Sequence, residues 1–87
     1  MSMGNGRIKF ENGDVYIGGV QKMQRQGPGR MEYKNGKIFE GLFEKDLKEG
    51  VGYYFQNDGR VYCGQFRQDH EEGVGEYLNR EDIEQNF

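Results

Sequence analysis

The chain has 87 residues, 33% of them apolar, and 12 basic against 15 acidic side chains leave a formal net charge of −3. That balance argues against a general nucleic-acid binder, which needs a basic face, and no apolar run approaches the roughly 18 residues of a membrane span, nor is a secretory signal visible. Low hydropathy alone would suggest disorder, but 14% aromatic residues and 15 glycines against one proline point instead to ordered turns and close backbone approach.

Met1 to Met3 carries no pattern. Gly4-Asn5-Gly6 opens a series of G-x-G pairs, and Arg7 to Phe10 then alternates polar and apolar residues, the signature of a half-buried strand. Asn12-Gly13 is a hairpin signal, followed by Asp14 to Val20 as a second strand. The same signal returns at Asn35-Gly36 and Asp58-Gly59. Gly13, Gly36 and Gly59 are evenly spaced, and the same offset links Gly18, Gly41 and Gly64, then Gly27, Gly50 and Gly73, then Gly29, Gly52 and Gly75. Tyr16, Phe39 and Tyr62 hold a further register, and Val20, Phe43 and Phe66 another. A fixed period of this length marks a repeat architecture.

The expected fold is therefore all-β, a single-layer stack of β-hairpins in one domain. A half unit at 4–12 leads, units at 13–35, 36–58 and 59–81 follow, and the array proper spans 4–78. Gln21 to Gln26, Glu44 to Glu49 and Arg67 to Glu72 read as polar connections between hairpins. The pattern fails at Asp82, where glycine is due. Asn79 reads there as an N-cap, with Leu78 and Ile83 as a staple and Ile83 and Phe87 on one face, so 79–87 is a tail or a short capping helix.

Turn type decides which residues share a face. A two-residue loop would place Ile8 and Phe10 with Val15 and Ile17. A three-residue loop with Gly13 left-handed instead gathers Ile8, Phe10, Tyr16, Gly18 and Val20. The second option also gathers Met31, Tyr33, Phe39 and Phe43, then Tyr54, Tyr62 and Phe66, while Arg7, Lys9, Arg30, Glu32 and Glu40 turn outward. It is preferred for that reason.

Tyr16-Ile17-Gly18-Gly19-Val20, Phe39-Glu40-Gly41-Leu42-Phe43 and Tyr62-Cys63-Gly64-Gln65-Phe66, each followed by a G-x-G pair, resemble the MORN repeat (membrane occupation and recognition nexus) over roughly residues 4 to 78. No tryptophan fills the motif's last slot, and only Glu40 keeps its glutamate. The resemblance implies a non-catalytic scaffold or adaptor. It points to a helical peptide or a cytoskeletal protein as partner, to self-association, and to a place at the cytoskeleton, a cilium or the membrane periphery. The lone cysteine gives no disulfide framework, so a cytoplasmic setting is the simpler reading.

An aromatic strip of Tyr16, Tyr33, Phe39, Phe43, Tyr62 and Phe66 is the expected partner groove, although most of these rings read as core stacked on one another and on the glycines, with their edges left to form the groove. Tyr53 and Phe55 fall on the outer face beside Val61 and Cys63 and form a second candidate contact, or a seat for Ile83 and Phe87. A peripheral phosphoinositide-binding module is the runner-up reading, through Lys22 and Arg25 in the first connection. Charge there is thin, since each basic residue near an anionic surface contributes about 1 kcal/mol. An accessory module of an enzyme is the third. One His, one Cys and no nucleophile–base constellation give no catalytic residues, no metal ligands and no cofactor site.

Overall fold

The computed structural model describes residues 4–81. Seven strands follow in chain order: β1 Gly4–Lys9, β2 Val15–Gln21, β3 Gln24–Glu32, β4 Ile38–Glu44, β5 Leu47–Phe55, β6 Arg60–Arg67 and β7 His70–Asn79. They form one antiparallel sheet in which every strand pairs with its neighbours in sequence. The expected Ile83–Phe87 face lies outside the described residues, which end in a helical turn at Arg80 and Glu81.

The first hairpin loop takes the three-residue form. Gly13 N–H donates to Phe10 O at 3.0 Å, Phe10 N–H donates to Asp14 O at 2.9 Å, and Gly13 has φ +102°. A left-handed residue closing a type I turn is what glycine tolerates best. Ile8 then faces Tyr16, as Met31 faces Phe39 and Tyr54 faces Tyr62. The apolar set gathers on one side as expected, here called the inner face. Its buried cluster is Tyr16, Met31, Phe39, Phe43, Tyr62 and Phe66, with Ile8, Val20, Tyr33 and Tyr54 packed against it.

The segments expected as polar connections are different. Most of Gln21 to Gln26, Glu44 to Glu49 and Arg67 to Glu72 is strand, closed by two-residue turns at Lys22-Met23, Lys45-Asp46 and Gln68-Asp69. Both residues of each turn have positive φ, between 48° and 74°. That is the type I′ geometry whose twist suits a hairpin, adopted here without the usual Asn-Gly. The chain is thus a continuous meander and not three hairpins joined by linkers.

The two glycines of each G-x-G do separate jobs. Gly27, Gly50 and Gly73 have φ of +83°, +80° and +72°, and beside each the register slips, between Gly18 and Val20, Gly41 and Phe43, and Cys63 and Gln65. The second glycine makes room for a ring: a methyl carbon on Gly52 would lie 2.5 Å from Phe39, and on Gly29 2.3 Å from the Tyr16 hydroxyl. Gly6, Gly18, Gly29, Gly41, Gly52 and Gly64 pair in one row across six strands. Tyr16, Phe39 and Tyr62 lie over that row.

Candidate functional site

The six rings of the expected groove share the inner face, and five of them are buried: Tyr16, Phe39, Phe43, Tyr62 and Phe66 are each at most 6% exposed. They pack edge to face in an unbroken line. Tyr16 meets Phe43 at 5.2 Å between centroids, Phe43 meets Phe39 at 5.6 Å, Phe39 meets Phe66 at 5.0 Å, and Phe66 meets Tyr62 at 6.0 Å. Tyr77 extends the line at 5.4 Å from Tyr62. Edge-to-face pairs contribute about 0.5–1.5 kcal/mol beyond area burial, so this line ties the repeats together. The Tyr16 hydroxyl donates to Gly19 O at 2.8 Å. Burial pushes the hydroxyls of Tyr16, Tyr33, Tyr54 and Tyr62 above the usual tyrosine range, so they remain neutral.

Two cations from the strands cover these rings. The Arg25 guanidinium carbon lies 5.1 Å from the Phe43 centroid, 5.8 Å from Phe10 and 6.0 Å from Tyr16. Lys48 Nζ lies 4.9 Å from Phe39, 5.2 Å from Tyr54, 5.5 Å from Tyr33 and 5.8 Å from Phe66. A cation within about 6 Å of a ring face is drawn to its quadrupole.

Both are also held from the next turn along the array. Asp46 Oδ1 accepts from Arg25 N–H at 3.0 Å and from its Nε at 2.7 Å, and Asp46 N–H returns a bond to Arg25 O at 3.0 Å. Asp69 Oδ1 accepts from Lys48 N–H at 2.8 Å, and Asp69 N–H donates to Lys48 O at 3.0 Å. Partial burial alone would raise the Asp46 carboxyl, but the side-chain and backbone bonds from Arg25 and its charge hold it below the usual range.

The inner face holds a hollow of about 350 Å³ lined by Phe10, Asn12, Asp14, Arg25, Met31, Tyr33, Lys48 and Asp69. Of the expected groove residues only Tyr33 borders it. Phe10, Lys48 and Asp69 were not among the expected site residues. A signal for Lys48 was present, since Arg25 and Lys48 stand one repeat apart, each facing the Val20 or Phe43 register across a hairpin.

The expected lipid pair is split. Lys22 is exposed in its turn, whereas Arg25 is engaged by Asp46 and keeps only 17% of its side chain open. On the outer face Tyr53 is 37% exposed and pairs with Cys63. Phe55 is half-buried in a cross-strand row with Ile38, Val61 and Leu78, in which Val61 is fully buried. The Arg80 guanidinium lies 5.3 Å from the Phe55 centroid.

A family model described as MORN repeat matches residues 16–38, 39–60 and 62–79. The chain is a member of the MORN repeat family. Its matched segments cover the meander from β2 through β7, and they start at Tyr16, Phe39 and Tyr62, the rings seated on the glycine row. MORN repeats are generally protein- or membrane-interaction modules. No individual curated protein matches the chain.

Proposed function

We propose that this MORN array is a non-catalytic adaptor that holds a protein partner on its inner face, at the hollow framed by Phe10, Met31 and Tyr33. The observation that carries the reading is the composition of that hollow. Apolar rings and a thioether stand beside two cations and two carboxylates, Asp14 and Asp69. An apolar patch rimmed by groups of both charges suits a segment that buries a few apolar anchors and pairs its flanking charges. A lipid-binding face would need a basic cluster, and the cations here are already matched by acids or rings.

Affinity selection from a cell extract with three baits tests the reading. The baits are the wild type, Tyr33→Glu on the inner face and Ile17→Glu on the outer face. Proteins retained by wild type and Ile17→Glu but lost with Tyr33→Glu are expected. Retention that ignores Tyr33, or sedimentation with phosphoinositide vesicles at physiological salt, would reject it in favour of another surface or of lipid.

A further inference from the structure

Positions 25, 48 and 71 are each separated by one repeat, and each lies across a hairpin from the Val20, Phe43 or Phe66 register. The first two units place a cation there, inside a four-walled box. Arg25 has Phe10, Tyr16 and Phe43 around it, and its Nη1 lies 3.5 Å from Met31 Sδ. Lys48 has Tyr33, Phe39, Tyr54 and Phe66. Those walls are the same positions moved by one repeat: 10 and 33, 16 and 39, 31 and 54, 43 and 66. One box is built twice, and the chain fills both itself.

The third unit keeps part of the box, with its charge inverted. Tyr62 and Tyr77 stand at two of the four wall positions, Gln56 at a third, no residue of the sequence stands at the fourth, and the residue in the cation's place is Glu71. Tyr62 and Tyr77 keep the edge-to-face contact, 5.4 Å at 65°, and Phe66 closes on Tyr62 at 6.0 Å. Tyr54 is flanked by two cations, Lys37 at 5.9 Å and Lys48 at 5.2 Å. For Tyr77 the counterpart of Lys37 is present, Arg60 at 4.9 Å, but a carboxylate stands in the counterpart of Lys48. Tyr77 is 56% exposed, whereas Tyr62 is 6% exposed and its hydroxyl is paired with Glu71, which is itself exposed on the strand of Tyr77. β7 carries Glu71, Glu72 and Glu76 and no lysine or arginine.

We propose that Tyr77 and Glu71, standing over the buried ring of Tyr62, form a receptor for a lysine or arginine side chain brought by a basic segment of a partner protein. Ring faces attract a cation, and a carboxylate at the box's edge supplies the matching charge. The acidic strand around it steers a basic segment toward the site. The proposal rests on the reading of the inner face as a protein-binding surface and adds the chemistry of one anchor, at the opposite end of that face from the Phe10–Tyr33 hollow.

The test uses the full chain and two synthetic peptides, acetyl-Gly-Lys-Gly-Arg-Gly-Lys-Gly-amide and its counterpart with glutamine at every basic position, followed by NMR of the tyrosine rings. The basic peptide is expected to shift Tyr62 and Tyr77 saturably while the glutamine peptide does not. E71K should fill the box from within, raising the melting temperature and weakening the peptide by about tenfold or more. E71Q keeps the shape and removes the charge, so it should weaken binding without that gain in stability. Equal affinity in wild type, E71K and E71Q, or shifts caused by the glutamine peptide, would overturn the proposal. Y33E separates it from the broader reading. If peptide binding survives Y33E, the third box acts alone. If Y33E abolishes it and E71K does not, the hollow is the docking surface and the box is not.

Discussion

At the residue scale, glycine and ring positions explain each other. Phe39 can lie flat on the sheet because Gly52 offers no side chain, and an added methyl would sit 2.5 Å from two ring carbons. The ring cannot retreat, since Phe43, Tyr54 and Phe66 hold its other sides. Gly52→Ala should therefore destabilise the protein by about 1–3 kcal/mol, the usual cost of overpacking. Gly59→Asn is the contrast. Its site has open space and φ +89°, a region asparagine tolerates, so the loss should stay under about 1 kcal/mol. Urea midpoints of the two variants check this, and equal losses would show that the ring does not depend on the gap. This much was legible in the sequence, because glycine and aromatic residues recur at one offset and period 2 assigns them to a face. Whether each ring would be core or surface was not legible. Burial depends on neighbours two strands away, as with Phe39 on Phe66.

At the element scale, the turns were the least legible part. Lys22-Met23, Lys45-Asp46 and Gln68-Asp69 carry no glycine, yet all six residues are left-handed. For the second and third turns the reason lies outside the turn, in bonds to the previous repeat. Besides the two aspartate clamps, Lys45 N–H donates to Gln26 Oε1 at 2.9 Å and Gln68 N–H to Glu49 Oε2 at 3.0 Å. No local signal announces a turn that is specified by a strand of the preceding repeat. The Asp46 clamp makes this testable through pH. Its carboxyl is held below the usual range in the folded state. Its contribution is therefore full above the unfolded value near pH 4 and is lost as pH falls through the lower folded value. Asp46→Asn should be less stable than wild type at pH 7, and the gap should shrink as pH drops below about 4. Thermal unfolding of both proteins from pH 7 to pH 2 measures it. A gap that is constant with pH would mean that the carboxylate's charge plays no part.

At the scale of the whole molecule, the array is a one-dimensional stack whose stability is shared between neighbours. Its two ends are not equal to its middle. The buried cluster draws on β2, β3, β4 and β6, and neither β1 nor β7 contributes a buried residue. β7 is the more open of the two, with Val74 101% and Tyr77 56% exposed. Its box is the one that holds an acid in place of a cation. The charge follows the same gradient: seven basic and four acidic residues lie through Phe43, against five and eleven from Glu44 onward. Local opening should therefore start at the last strand and spread inward, because each strand removed exposes the rings of the next. Hydrogen exchange under native conditions should show the slowest amides in β4 and its pairings with β3 and β5, and faster exchange in β7 than in β3 or β5, its equivalents in the repeat. Glu71→Lys should slow β7 selectively by giving it the ring contacts that Lys48 gives β5, with little change in β2 or β3. Uniform protection across all seven strands would mean that the sheet opens only as a whole, and the description of the ends as weakly held would fail.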